Sequence, residues 1–253
     1  MTDIAAPQFI ERAGHRLAYR ATPGTGPGIV FLGGFRSDMG GTKAVALEAW
    51  AKASGRAFLR LDYSGHGASG GNFEAGSIAD WAEDARAVIA HATDGPQILV
   101  GSSMGGWIAL LIARDFPTGV AGLVTVAAAP DFTEDGYWAS FTDAERVELF
   151  ERGRVLRPSD YGEPYVITRH LIEQGRKSLV LRAPLRLPFP VRMLQGAADT
   201  DVPVAWAYRL LDHAESPDMR LTLVKGADHR FSDPDCLALI AREVEDVMGR
   251  IDG

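Results

Sequence analysis

Six residues between an apolar run (Ile98, Leu99, Val100) and a helical pattern (Trp107 to Ala113) have the types and spacing for chemistry: Gly101-Ser102-Ser103-Met104-Gly105-Gly106. A serine on a sharp strand-to-helix turn, with glycines two residues to either side, is the sequence form of a nucleophile elbow. Gly101 and Gly105 leave room where a Cβ would collide with a neighbouring strand or helix, so the backbone at Ser103 can take a strained turn. Ser103, unlike Ser102, has glycine at both flanking positions. Its Oγ, at a helix N-terminus, could attack a carbonyl while the N–H of Met104 faces the oxyanion that forms. A glycine-rich turn without chemistry has the same composition, so the reading depends on partners elsewhere in the chain.

A serine hydroxyl is a weak nucleophile until a base accepts its proton, and the base needs a third group to hold its tautomer. There are six histidines: His15, His66, His91, His170, His213 and His229. His15 falls in a hairpin, His91 at a helix end, His170 in an irregular region and His213 in the polar last turn of a helix. His66 and His229 directly follow apolar runs. A loop after the last strand can swing an imidazole over the elbow from the far side of the sheet, which makes His229 the candidate base; the alternative is a solvent-facing loop residue. For the acid, Asp199 lies just past the preceding strand, within reach of such a ring. Asp201 could serve instead, or cap the helix that follows. Asp228 adjoins His229 and points away if the backbone there is extended.

These residues need a sheet whose strands all end on one side, and the hydrophobic pattern supplies it. Phe9 to Glu11 and Arg16 to Ala21 read as a hairpin around Ala13-Gly14-His15. Thr22 to Gly28 reads as a Pro/Gly loop. Ile29 to Leu32, Ala57 to Leu61, Gln97 to Val100, Leu123 to Ala129, Val191 to Leu194 and Leu221 to Val224 are apolar strands of the kind covered on both faces. Between them lie helical stripes: Ala44, Leu47, Trp50 and Ala51; Ile78, Trp81, Ala82, Ala85, Val88 and Ile89; Gly106 to Arg114; a helix entered at Pro203; and Leu237, Ile240, Val244, Val247 and Ile251. Such alternation predicts a doubly wound, mainly parallel α/β sheet with its functional loops at the strands' C-terminal ends. The rhythm breaks from Asp131 to about Pro188. Thr142-Asp143-Ala144-Glu145 is a capping box there, Pro158 to Gly162 a turn and Ile167 to Gln174 a short helix. The segment is too short to bury much core unaided, so we expect a core of residues 1–130 and 189–253 with a small helical cap, 131–188, inserted late in the sheet.

With 253 residues, 46% of them hydrophobic, the chain can bury one large core. A net charge of -7 argues against a nucleic-acid partner, which would need clustered Lys and Arg. The one cysteine, Cys236, rules out an internal disulfide and any CxxC pair. Met1 to Ile10 lacks the basic start and apolar core of a signal peptide, and no run is long enough for a membrane span; the expectation is a soluble, cytoplasmic protein. Gly65-His66-Gly67-Ala68-Ser69-Gly70 satisfies G-x-G-x-x-G, but the next helix opens only near Ser77, so no helix N-terminus stands ready for a pyrophosphate. No Gly-Lys dipeptide exists for a P-loop, and no HExxH or clustered ligand spacing points to zinc. Neither cofactor nor metal is expected.

Gly33-Gly34-Phe35, Asp62-x-x-Gly65-His66-Gly67-x-Ser69, Gly196-x-x-Asp199-x-x-Val202-Pro203 and Gly226-x-x-His229 follow one another around the elbow, with serine, acid and histidine in that order. In this the whole chain resembles the α/β-hydrolase family. The resemblance implies that the N–H of Phe35 is a second oxyanion donor beside that of Met104, and that His66 is structural, holding the loop after its strand. Gly33 stands where the family often has histidine, which removes a loop-bracing hydrogen bond and leaves the backbone donor. Phe35-Arg36-Ser37-Asp38-Met39-x-Gly41-Thr42-Lys43-Ala44, with Asp131-Phe132-Thr133-Glu134 and Tyr165-x-Ile167-Thr168, is similar to the mitochondrial palmitoyl-protein thioesterases that also cleave acyl glucuronides, and to their bacterial relatives. This implies a serine hydrolase acting on esters or thioesters of a fairly apolar acyl group, carried by a small molecule or an acylated protein, through an acyl-enzyme. An acyltransferase or perhydrolase on the same residues, or a binding module that has lost the chemistry, are the alternatives.

Overall fold

The computed structural model describes residues 6–159 and 162–251. Met1 to Ala5 of the N-terminal reading, and Asp160 and Tyr161 of the expected turn, lie outside the described residues. In chain order the elements begin with the hairpin β1 (Gln8–Arg12) and β2 (His15–Thr22), then β3 (Thr25–Leu32), α1 (Thr42–Ala53), β4 (Arg56–Leu61), α2 (Ile78–Ala92), β5 (Gln97–Ser102), α3 (Met104–Asp115) and β6 (Val120–Val126). A π-helical turn (Thr133–Trp138), α4 (Asp143–Arg152), β7 (Arg154–Arg157), β8 (Tyr165–Thr168), α5 (Arg169–Gly175) and β9 (Leu185–Arg186) follow. The chain then returns to the main sheet through β10 (Val191–Gly196), α6 (Val204–His213), β11 (Ala214–Glu215), β12 (Met219–Val224) and α7 (Pro234–Ile251).

The main sheet has eight strands in the order β1-β2-β4-β3-β5-β6-β10-β12, with every pairing parallel except those made by β2. Successive strand side chains point to opposite faces. Val30, Leu32 and Leu99 therefore join one core with Trp81 of α2 and Trp107 of α3. Ile29, Phe31, Ile98 and Val100 join the other with Leu47 of α1 and Val244 and Val247 of α7. Cores on both faces are why these strands read as unbroken apolar runs. Cys236 is buried on the packed stripe of α7.

Four boundaries differ from those expected. β3 starts at Thr25, inside the expected loop: Thr25 pairs with Arg56 across an irregularity, and Gly24 runs so close to β4 that a Cβ would meet the Arg56 carbonyl carbon at 2.2 Å. β6 stops at Val126, because Ala127 turns to φ 48°. α3 begins at Met104, directly after the elbow. Ile167 belongs to β8, opposite Val155, and Thr168 caps α5 by accepting the Leu171 N–H at 3.0 Å.

Residues 131–188 run between β6 and β10 without adding a strand to the main sheet. The capping box of α4 is present, with Thr142 Oγ1 accepting from Glu145 N and Glu145 Oε2 accepting from Thr142 N. The segment is tied to the core at its base. The Asp131 carboxylate, wholly buried, accepts the N–H groups of Val180 and Leu181 at 2.8 and 3.1 Å. Trp107 Nε1 reaches from α3 to donate to the Ser178 carbonyl at 3.0 Å. Among the described residues, no helix is long and apolar enough to cross a membrane.

Replacing Trp107 by Phe keeps most of the ring packing but leaves the buried Ser178 carbonyl without its donor. We expect a loss of about 1–3 kcal/mol in unfolding free energy, measured by urea denaturation.

Candidate active site

Ser103 stands between the last residue of β5 and the first of α3 with φ 54° and ψ -119°, a left-handed conformation that costs a non-glycine residue of order 1–3 kcal/mol. The surroundings enforce it. Its N–H donates to the Val126 carbonyl at 2.9 Å, and its own carbonyl accepts from Gly106 and Ala129 at 2.9 and 3.1 Å. The glycines allow the crowding. A Cβ on Gly101 would lie 2.4 Å from the Gly105 oxygen, and one on Gly105 would lie 2.1 Å from the Leu32 oxygen. Gly106 is equally tight, at 2.6 Å from Ala128 Cβ.

The loop after β12 brings His229 to this serine: Nε2 lies 3.1 Å from Ser103 Oγ, and Nδ1 lies 2.8 Å from Asp199 Oδ2. Asp199, in the loop after β10, has a wholly buried side chain and is densely bonded. Its Oδ1 accepts the N–H groups of Asp201 and Val202 at 2.9 and 2.8 Å, and Oδ2 also accepts from Gln195 Nε2 at 3.0 Å. Burial alone would raise its pKa, but the His229, Val202 and Gln195 hydrogen bonds outweigh it and hold the carboxyl below the usual range. The two loops are fastened to each other. Ala198 N donates to the Ala227 carbonyl at 3.0 Å, an approach possible because a Cβ on Gly196 would sit 2.3 Å from that oxygen.

Asp201 lies on the cavity wall, and its backbone serves Asp199. Asp228 accepts the Phe231 N–H at 3.1 Å. Gln195 was not singled out from the sequence. It bonds both Asp199 and the Val202 carbonyl, and the available signal was a polar residue ending an apolar strand.

Phe35 and Met104 line the same cavity as Ser103, Phe35 from the loop after β3 and Met104 from the first turn of α3. His66 braces the Phe35 loop from outside: its Nε2 accepts the N–H of Arg36 at 3.3 Å, while Nδ1 faces the Ser64 carbonyl at 3.2 Å. Arg36 itself has φ 56°. A ring that accepts at Nε2 carries its proton on Nδ1, and burial, relieved in part by the Ser64 carbonyl, lowers the His66 pKa to about 4. His66 thus holds the loop after β3 as well as its own. Asp62 adds a second tie by accepting from Met39 N at 2.6 Å and from Ala68 N at 2.8 Å. Gly67 fits against Asp62 so tightly that a Cβ would meet its Oδ2 at 2.2 Å. Of the glycines in 65–70, Gly67 packs on this carboxylate, while Gly65 lies against Phe73 and Gly70 against Arg16, and none opens a helix.

A cavity of about 980 Å³ opens onto Ser103. Its lining includes the rings of Phe35, Phe132, Tyr137, Tyr165 and Trp206 and, among polar residues, Ser37, Thr42, Lys43, Arg157, Glu163 and Arg230. The Phe35 ring touches Phe73, Trp81, Phe132, Tyr137 and Tyr165 at centroid distances of 4.9 to 6.4 Å. Tyr137 of the inserted segment lines the cavity. Trp138, Phe141 and Phe150 pack on one another instead, at 6.2 and 6.1 Å. Among the described residues, no group of three or more His, Cys, Asp or Glu could hold a metal ion.

The family model described as "Serine aminopeptidase, S33" matches residues 28–162, more than half of the chain. The rat mitochondrial palmitoyl-protein thioesterase ABHD10 is 35% identical over 93% of this chain and 80% of its own length. The crystal structure of a putative hydrolase from Agrobacterium vitis S4 has 40% identity and a TM-score of 0.91, covering 95% of this chain and 97% of that one. The structure of mouse α/β hydrolase domain-containing protein 10 has 33% identity and a TM-score of 0.90 over 98% and 100% of the two chains.

The depressed pKa of His66 makes stability depend on pH. In the unfolded chain this histidine takes a proton as pH falls through about 6.5, whereas in the folded protein it resists protonation until about 4. Stability therefore falls as pH drops across that window. A His66→Gln variant, which keeps an acceptor near Arg36 N but does not titrate, should show a shallower decline in Tm between these two values.

Proposed function

The chain belongs to the α/β-hydrolase family represented by that model, and on this premise we propose that it is a serine hydrolase in which Ser103, His229 and Asp199 form the catalytic triad. The reading rests chiefly on one observation, the continuous hydrogen-bonded line from Asp199 Oδ2 through the imidazole to Ser103 Oγ. An ionised Asp199 holds the proton of His229 on Nδ1, which leaves Nε2 able to accept one. Ser103 Oγ attacks the acyl carbonyl carbon as its proton passes to Nε2. The oxyanion is received by the N–H groups of Phe35 and Met104. The bond to the leaving oxygen or sulfur then breaks, and the proton on Nε2 goes to the departing atom. Water, deprotonated by the same nitrogen, attacks the acyl-enzyme and releases the carboxylic acid.

The substrate class we propose is a thioester or ester of an apolar acyl group. The aromatic lining suits such a group, the polar lining residues suit a hydrophilic leaving group, and relatives over most of the chain's length are named palmitoyl-protein thioesterases. In this reading residues 131–188 act as a cap that supplies Phe132, Tyr137 and Tyr165 to the acyl side.

A panel of p-nitrophenyl esters and acyl thioesters of increasing length tests the proposal. Wild type should turn over the longer members, and Ser103→Ala should lose at least about 10³-fold in kcat while keeping its Tm. Turnover retained by Ser103→Ala would remove the serine from the mechanism. Asp199→Asn should lower kcat by about 10²–10⁴-fold, since a neutral amide cannot enforce the tautomer. Asp201→Asn should stay near wild type; the opposite pattern would assign the acid to Asp201.

A further inference from the structure

One cation that lines the cavity, Lys43, has no part in this mechanism, yet it is built into the site. Lys43 belongs to the first turn of α1, and its Nζ donates to the carbonyl of Arg230, the residue that follows His229. The turn that carries His229 is anchored at both ends. On one side the Ala227 carbonyl is held by Ala198 N, and on the other Phe231 is fully buried at φ 49°. Between these anchors the Arg230 carbonyl accepts from Lys43 and, within the turn, from Ser232 Oγ at 2.7 Å. Lys43 therefore reaches this peptide from outside the turn. It does so from a rigid base, because the next residue, Ala44, is wholly buried with Leu47 and Ala51 in the same core as Phe231.

A lysine that merely decorated the surface would stay solvated. This one is pulled down to about 8 by burial; Asp228 raises it, Arg230 lowers it and Asp199 raises it. Two carboxylates, Asp228 on the histidine turn and Asp199 on the loop after β10, are near enough to favour its charged form.

We propose that Lys43 is a positioning residue for hydrolysis: from α1 it fixes the Arg230 peptide and so keeps the His229 ring in line between Asp199 and Ser103. This rests on the catalytic reading above. Proton transfer along that line is sensitive to displacement, and misplacement of about 1 Å costs about 10²-fold in rate. A role in binding substrate would instead appear in KM, and a purely structural role would appear in Tm with the kinetics of the folded protein intact.

The test compares Lys43→Met, Lys43→Gln and Lys43→Arg on the best substrate of the panel, with Tm and the rate of fluorophosphonate labelling of Ser103 measured for each. Expected for Lys43→Met is a fall in kcat of about 10–100-fold, KM close to wild type, slower labelling in proportion and substantial recovery in Lys43→Arg, whose guanidinium can still reach the carbonyl. If Lys43→Met does not fold, Lys43→Gln is read in its place. Unchanged kcat in a folded variant, or a raised KM with kcat intact, overturns the proposal. A Ser103→Ala enzyme that still turns over overturns the catalytic reading itself, whereas an inert Ser103→Ala beside wild-type-like Lys43 variants overturns the role of Lys43 alone.

Discussion

The structure depends on a backbone held where it would not rest by itself. Ser103 keeps a left-handed φ because β5 ends against β6, α3 begins at once, and the Val126, Gly106 and Ala129 peptides close on it from three directions. That closure requires backbone where side chains would otherwise be, at Gly101, Gly105 and Gly106. The strain, of order 1–3 kcal/mol, is small beside the burial of the strands on either side, so the core fixes the serine's direction. β5 lies between β3 and β6, which places the Phe35 loop on one side of the serine and the turn at Ala127 on the other.

The two halves of the site are held by different physics. On the β10 and β12 side the ties are hydrogen bonds to charge: Asp199 is surrounded by donors, and the loops that carry it and His229 are joined through Ala198 and Ala227. On the β3 side the ties nearest Phe35 are neutral and aromatic, with His66 accepting from the Arg36 peptide and ring edges packed around Phe35. Charge is needed where a proton has to move and be stabilised. The far end of the loop whose backbone N–H is proposed to meet the oxyanion is held by charge as well, since Asp62 accepts from Met39 N and Arg60 donates to the Met39 carbonyl.

Much of this was legible in the chain itself, and the reasons differ from residue to residue. The parallel sheet showed because strands covered on both faces have no polar alternation to hide them, as in Ile29 to Leu32. The elbow showed because close backbone approach requires glycine at set positions. Ser103, His229 and Asp199 are brought together as strand ends in the order expected, although 126 residues separate the first pair. What did not show was cross-chain and local at once. Gln195 and Lys43 look like ordinary polar residues until the fold places them against the Asp199 and His229 loops. His66 could be recognised as structural, but not as the brace of a loop 30 residues earlier. The starts of β3 and α5 and the end of β6 differ from the apolar pattern where a bulge, a threonine cap and a left-handed alanine override it.

Phe35 joins two tasks in one residue. Its peptide belongs to the loop proposed to receive the oxyanion, while its ring is the hub of an aromatic cluster drawn from α2, from the loop before it and from the segment after β6. A guest that shifts those rings shifts the hub, and with it the amide behind the serine. On the proposed reading, acyl selectivity is not only a matter of how well a chain fits: recognition of the acyl group and stabilisation of the transition state would share one lever, and a chain of the wrong shape could be bound well and still be cleaved slowly.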